Sequence, residues 1–150
     1  MTFQGALGAS FAAAVIADRP LDARFGTGTV RVRELRFETE APLDEILVAT
    51  NVDGYVFTQA KTSLTLAKKL DSELGKTAGQ IVRQWRACLE GNGSLGWNRP
   101  LVRGRDLFLI AVGPGAAGTV TNDLALALSR RRPYRDGVCI RLASIQSAFP

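Results

Sequence analysis

The sequence predicts one α/β domain in which helices flank a mixed β-sheet. Apolar and polar residues alternate between positions 29 and 37, which indicates a strand with one exposed face. The unbroken apolar run 106–112 is typical of a strand buried on both faces. Between them, residues 78–89 carry apolar side chains at helical spacing. At 150 residues the chain is long enough for a single buried core, and the predicted order is α-β-β-β-α-β-α-β.

The first half of this order follows from local signals. A run of small and apolar residues that ends at Ala17 predicts a first helix buried nearly all round, which Arg19-Pro20 terminates. After the strand at 29–37, the extended runs 45–50 and 55–61 flank a turn at Asn51–Gly54 and form a predicted hairpin.

The second half contains two helical regions and two strands. One region begins near Ser63 as one bent helix or two, interrupted at Gly75 and Gly79, and is closed at 91–93. Its predicted inward residues are Ile81, Val82, Trp85 and Leu89, while Trp97 is expected in a more exposed loop. After the strand at 106–112 come a helix at 122–132, with Leu124, Leu126 and Leu128 inside, and a strand at 138–142.

Composition restricts the possible chemistry. The chain has no histidine, which excludes Ser-His-Asp and Cys-His catalysis and histidine-ligated zinc. A net charge of +5 favours an anionic partner, and the scattered arginines favour nucleic acid over a membrane surface. Cys88 and Cys139 lie far apart without a CxxC motif, so we expect small buried thiols in a reducing, cytoplasmic setting.

The predicted hairpin concentrates the chain's most informative charges. Gln59 and Lys61 lie two residues apart in a strand and therefore share one face, with Ala60 on the other. The turn brings Lys61 near Asp44 or Glu45; which of these carboxylates faces it depends on the strand register, since a slip of one residue reverses the facing.

These groups form the kind of site that binds a divalent cation and a phosphate. Asp44 or Glu45, the side-chain oxygen of Gln59 and the backbone carbonyl of Ala60 are hard oxygen ligands suited to Mg²⁺. Lys61 would hold a scissile phosphate or orient the attacking water. A metal-dependent nuclease uses this chemistry. The alternative is an edge hairpin whose Gln59 and Lys61 only face solvent.

The same residues resemble the PD-(D/E)xK nuclease superfamily. Pro42-Leu-Asp44, a strand and a turn, then Gln59-Ala-Lys61 are similar to its variant with glutamine in place of the acidic residue. The resemblance implies a restriction-endonuclease-like sandwich that cleaves double-stranded DNA with Mg²⁺, for which Mn²⁺ can substitute. Glu40 before the Asp44-Glu45 pair extends the likeness to N-terminal nuclease domains of bacterial anti-phage effectors of the STAND and CBASS type.

That likeness carries further expectations. It makes Glu40 an additional candidate site residue, and it implies that residues 1–150 are the N-terminal nuclease domain of a longer protein. Domains outside this chain would then drive homo-oligomerisation and activate the nuclease.

Two other functions are compatible with the sequence. Residues 113–118 match the G-x-G-x-x-G pattern between a strand and a helix, which points to a nucleotide-binding module. A catalytically inactive nuclease-like domain that binds DNA or supports assembly is the second. Basic residues suited to tracking phosphates are Lys68–Lys69, Arg83, Arg86, Arg99, Arg103, Arg105 and 130–132.

Overall fold

A computed structural model describes residues 2–21, 25, 27–37, 39–43, 45–130 and 139–145. The elements are helix α1 (Phe3–Ile16), strands β1 (Val32–Phe37), β2 (Ile46–Thr50) and β3 (Tyr55–Lys61), helix α2 (Glu73–Glu90), and strands β4 (Leu107–Val112) and β5 (Cys139–Ser144). Between β4 and β5, a π-helical segment (Thr119–Leu124) continues into an α-helix (Ala125–Arg130), and we call this combined element α3. The predicted order of helices and strands is confirmed.

The five strands form one mixed sheet in the order β1-β2-β3-β4-β5. The first three make an antiparallel meander, and β4 and β5 then run parallel to β3. Each parallel connection passes through a helix, as such crossovers usually do. Helix α1 packs on one face of the sheet, whereas α2 and α3 both pack on the other. The α/β class and the mixed sheet between helices therefore match the prediction.

The predicted hairpin is present, and its turn is tightly built. Ile46 pairs with Thr58, and the ladder continues to Ala49 opposite Tyr55. Asp53 takes a left-handed conformation (φ 54°), which aspartate tolerates better than most residues. A Cβ atom on Gly54 would lie 2.0 Å from the Arg105 carbonyl oxygen, so glycine is required where the turn meets the loop before β4. The hairpin is thereby anchored against the centre of the sheet.

Alternation along the strands separates the core into two layers. On the α1 face, Leu7 and Phe11 of the helix pack against apolar side chains of β2, β3 and β4. On the α2 face, Ile81 and Cys88 pack against the other side of the same strands, with Phe57 fully buried. All six residues of β4 are buried, as its continuous apolar run predicts.

The prediction that α1 is buried nearly all round is wrong. Only Leu7, Gly8 and Phe11 are buried in this helix. Val15 and Ile16 near its end are 38% and 87% exposed. The helix lies on one sheet face with no layer above it in the described structure, so its apolar composition exceeds what one contact surface can cover.

Helix α2 also differs from the prediction. It is a single helix that begins after the N-cap Ser72, well beyond Ser63, and continues through Gly75 and Gly79. Its buried positions are Thr77, Ile81, Gln84 and Cys88, whereas Val82, Trp85 and Leu89 are about half exposed.

The buried face of α2 includes a polar side chain. Gln84 is fully buried, and its Oε1 accepts a hydrogen bond from the Leu43 backbone N–H at 3.1 Å, which satisfies the buried amide oxygen. The more apolar stripe beside it is about half exposed. The expectations for the tryptophans are consequently reversed, since Trp85 is 47% exposed and Trp97 only 5%. The ring of Trp97 instead packs edge-on against Phe57, with centroids 6.3 Å apart.

Only some of the predicted core leucines of α3 are partly buried against the rest of the domain. Leu124 and Leu128 are half-buried, while Leu126 between them is 47% exposed. Residues two apart project from different sides of a helix, so the three leucines cannot share one face. Residues 131–132 and Val138, which the sequence assigns to this helix and to β5, lie outside the described residues. No helix in the part of the chain that the structure describes is long and apolar enough to span a membrane.

Candidate functional site

Glu45, Gln59 and Lys61 meet where β3 ends, beside the start of α2. The pairing of Ile46 with Thr58 places Glu45 across from Gln59, on the face that α2 covers. The register thus puts Glu45 on the face of Gln59 and Lys61. Asp44, the other carboxylate that the sequence offers for this position, lies outside the described residues. Gln59 is 1% exposed and the Lys61 side chain 19% exposed, so the alternative of a solvent-facing edge hairpin is wrong.

The Glu45 carboxylate organises this group. One oxygen, Oε1, accepts a short hydrogen bond from Gln59 Nε2, and the other accepts the Ala60 backbone N–H at 2.5 Å. Lys61 Nζ lies 3.8 Å from Glu45 Oε1. The β2–β3 ladder is paired only as far as Ile46. The next β3 donor that faces β2 is the Ala60 backbone N–H, and the Glu45 carboxylate supplies its acceptor. Glu45 therefore joins the side-chain cluster to the sheet.

The amide of Gln59 is oriented by this contact. Its nitrogen must face Glu45 to donate, which turns Oε1 away from the carboxylate. Oε1 is buried and has no hydrogen-bond partner among the described residues. An unsatisfied buried acceptor costs about 1–3 kcal/mol, and such atoms in native proteins commonly mark a place for a water, an ion or a ligand.

Helix α2 contributes a second carboxylate that sequence reasoning missed. Glu73, the first residue of α2, places Oε2 3.6 Å from Lys61 Nζ, while its Oε1 lies 3.2 Å from Lys76 Nζ. The hydrogen bond from Lys76 lowers the pKa of Glu73, and the charge of Lys61 lowers it further. The signal in the sequence is Ser72-Glu73, an N-cap followed by an acidic residue at a helix N-terminus.

An open cleft of about 580 Å³ adjoins these side chains. Its charged lining comprises Glu73 and three cationic residues, Lys61, Lys76 and Arg83. Gly75 and Gly79 of α2 also line the cleft; the Leu70 backbone packs against Gly75, and the Arg83 guanidinium lies beside Gly79. The cleft is therefore an accessible surface of mainly positive charge that leads to the buried Glu45–Gln59 pair.

The remaining predicted site residues are placed differently. Glu40 is exposed and lines a separate cleft with Arg36 and the loop around Trp97. Ala60 contributes its backbone to the site, and its small side chain packs on the α1 face as the alternation predicts. Within the described ranges, no three side chains of histidine, cysteine, aspartate or glutamate are grouped closely enough to hold a metal.

The glycine-rich segment 113–118 has a structural role next to the same strand end. Three of its backbone N–H groups donate within the chain: Gly113 to Lys61, Ala116 to Gly113 and Ala117 to Leu64. A Cβ atom on Gly113 would lie 2.9 Å from the Thr62 carbonyl oxygen, so the glycine permits close contact between two backbone segments. A phosphate cradle needs its N–H groups turned outward, and here these three are already bound.

Comparison with known proteins adds no assignment: no family model matches the chain, and no curated protein or solved structure is significantly similar to it.

Proposed function

We propose that this domain is a Mg²⁺-dependent nuclease that hydrolyses phosphodiester bonds of double-stranded DNA. The observation that carries the proposal is the convergence of Glu45, Gln59 and Lys61 at one strand end, beside a cleft with cationic walls. A carboxylate and an amide oxygen suit a hard cation, and a lysine next to them suits a phosphate.

The oxygen atoms that would hold a magnesium ion here are those of the Glu45 carboxylate and the Ala60 carbonyl. The unpartnered Gln59 Oε1 would join them once the amide rotates, since in this structure its Nε2 faces the carboxylate. The Ala60 N–H points toward the Glu45 end of β2, and the carbonyl of a strand residue projects to the same side as its N–H. A bound Mg²⁺ would stabilise negative charge on the phosphate and generate hydroxide near neutral pH. Asp44, adjacent in sequence, is the further ligand that the resemblance implies.

Within this proposal, Lys61 binds the scissile phosphate. Its ammonium group is held from two sides, by Glu45 at 3.8 Å and Glu73 at 3.6 Å, so its position is set before substrate arrives. Lys76 and Arg83 lie along the cleft, where they would contact neighbouring phosphates of the same strand. Preorganised positive charge of this kind stabilises the charge that develops during phosphodiester hydrolysis.

The arrangement of elements supports the resemblance to PD-(D/E)xK nucleases. A first helix, a meander with the Gln-x-Lys strand third, a helix, and a buried strand follow in the order that the resemblance implies. On this basis we propose a restriction-endonuclease-like sandwich that acts in the cytoplasm as the effector of a prokaryotic anti-phage protein. Its other domains would then oligomerise the nuclease and activate it.

A catalytically inactive, DNA-binding version of the domain is the second candidate. The observation in its favour is that Lys61 is already paired with two carboxylates, while the described residues contain no three-membered acidic cluster. The nucleotide-binding alternative has less support because the N–H groups of Gly113, Ala116 and Ala117 donate within the chain.

Plasmid cleavage distinguishes these functions. The wild type, Lys61→Ala and Glu45→Gln are incubated at high concentration with Mg²⁺, Mn²⁺ or EDTA, each also fused to a tetramerising domain to imitate clustering. We expect metal-dependent cleavage that falls by about 10²-fold or more in both variants. Arg33→Gln is the matched control, because Arg33 is exposed on β1 and pairs with Asp53 away from the cleft. Absence of cleavage in the clustered wild type, with DNA binding retained, would establish the inactive alternative.

A further inference from the structure

A second cavity lies at the opposite end of the sheet, under the loop that precedes β1. It encloses about 240 Å³ and is lined by the first residues of β4 and β5, Leu107 and Cys139, together with Thr27 and Val30 of the loop. The Glu45–Lys61 cluster is at the other end of β3 and on the α2 face, whereas Leu107 and Cys139 pack in the α1-face layer. The cavity is therefore separate from the proposed nuclease site.

Three arginines line this cavity: Arg103 and Arg105 from the loop before β4, and Arg141 from β5. None of them lies within ion-pair distance of a carboxylate anywhere in the described residues. The neighbouring Arg99 shows the contrast, since both its terminal nitrogens bond the buried Asp106. Asp106 also accepts two backbone N–H groups and is thus committed to the structure. Among the described residues, the positive charge of these three arginines is therefore not balanced by an ion pair, although Arg105 Nη1 donates to the Val52 carbonyl oxygen at 3.5 Å.

The interior has a different character. Val30, Val56 and Leu107 give it an apolar wall. The Thr27 hydroxyl, which also lines the cavity, is buried with no hydrogen-bond partner among the described residues. A cavity of about 150 Å³ accommodates benzene in another protein, so this one has room for a ring of that size with a substituent. Its partly enclosed apolar wall suits a compact molecule better than the backbone of a duplex.

We propose that this cavity binds a small organic phosphate, with an apolar ring against Val30, Val56 and Leu107 and the phosphate among the three arginines. Guanidinium groups bind phosphate through paired hydrogen bonds, and the Thr27 hydroxyl would gain a partner inside the cavity. Such a site would let the domain respond to a phosphorylated small molecule independently of the Glu45–Lys61 cluster.

Cys139 provides a direct reporter for the test. Cys139 lines the cavity and is half-buried, while the other cysteine, Cys88, is 0% exposed. Alkylation of the native protein by iodoacetamide, followed by peptide mass spectrometry, gives the reaction rate at Cys139 alone. The probe is phenyl phosphate, which has a benzene-sized ring and one phosphate. Inorganic phosphate, phenol and a short DNA duplex are the comparison ligands.

We expect saturating phenyl phosphate to slow alkylation of Cys139 at least about 10-fold, and to do so at lower concentration than inorganic phosphate or phenol. Arg103→Gln, in an exposed loop, and Arg141→Gln should each weaken this protection, whereas Arg33→Gln should not. Absence of protection by phenyl phosphate would overturn the proposal. Equal protection by inorganic phosphate would show that the apolar wall does not contribute to binding and would overturn the organic part of the proposal. Protection by the duplex alone would show that the arginines bind nucleic acid instead.

Discussion

Replacement of Gln59 by glutamate tests the structure and the proposed metal site together. The two side chains have nearly the same shape, so the substitution leaves packing intact and changes only charge and hydrogen bonding. In the wild type, Gln59 Nε2 donates to Glu45, and both side chains are largely buried. In Gln59→Glu, two carboxylates would occupy direct hydrogen-bond contact at this position.

Two independent estimates give the same penalty. Like charges about 4 Å apart repel by about 4 kcal/mol at an effective dielectric constant of about 20. The pair can avoid repulsion by binding one proton, and keeping a carboxyl of ordinary pKa about 4.3 protonated at about pH 7.5 costs about 4 kcal/mol. Because Lys61 lies 3.8 Å from Glu45 and offsets part of this charge, we expect a loss of about 3–4 kcal/mol.

The penalty should depend on pH in a defined direction. The carboxyl pair has its pKa raised in the folded state of the variant, so folding takes up a proton and stability declines as pH rises above the unfolded value. At about pH 5 the protonation cost is only about 1 kcal/mol. Urea unfolding of the variant and wild type at the two pH values measures the change directly.

Magnesium provides the second part of the assay. A cation bound between Glu45 and the new carboxylate would relieve the repulsion, and Mg²⁺ at about ten times its dissociation constant adds about 1.4 kcal/mol of stability. Gln84→Glu is the matched control, since Gln84 is also fully buried but bonds Leu43 N–H and Cys88. We expect no Mg²⁺ effect there.

The outcomes distinguish the contact between Glu45 and residue 59 from the proposed metal site. A loss below about 1 kcal/mol at about pH 7.5, or a loss independent of pH, would refute the contact between Glu45 and residue 59. A pH-dependent loss that Mg²⁺ does not relieve would retain the geometry and reject the metal site.

Two further predictions concern the α2 face. Trp97→Ala should destabilise the domain by about 3–5 kcal/mol, because the ring is 5% exposed and packs on Phe57. Trp85→Ala should cost only about 1–2 kcal/mol, because about half of that side chain already lies in solvent. Urea unfolding of both variants checks the contrast, and similar losses would contradict it. Burial raises the pKa of the Cys88 thiol, with Gln84 opposing this effect, so the contribution of Cys88 to stability should be full below about pH 9 and decline above it as the unfolded thiol ionises first. Cys88→Ala should therefore show a shallower loss of stability between about pH 8 and pH 10, and identical slopes would count against the assignment.

Strand patterns were the strongest local signals. The alternation at β1, the turn at Asn51–Gly54 and the apolar run of β4 each predict the element observed, because a strand's facing is set by its nearest neighbours in sequence. The facing of Gln59 and Lys61 follows from the same alternation. Helix faces were harder to predict: α2 buries Gln84, which bonds the distant Leu43, and leaves Trp85 half exposed, because the buried face of a helix depends on the segments that pack against it and not on its own periodicity alone.

At the candidate site, too, some features follow from the sequence and others only from the tertiary structure. By itself, the sequence determined that Gln59 and Lys61 share a face, that Asp44 or Glu45 precedes the hairpin strand beside them, and that any catalysis would proceed without histidine. Only the tertiary structure decided that Glu45 faces Gln59, that Glu73 reaches Lys61 from another element, and that Glu40 lies in a different cleft. The physical reason is that alternation within a strand is a local steric property, whereas register and helix docking minimise unsatisfied polar groups and exposed apolar surface across the whole chain.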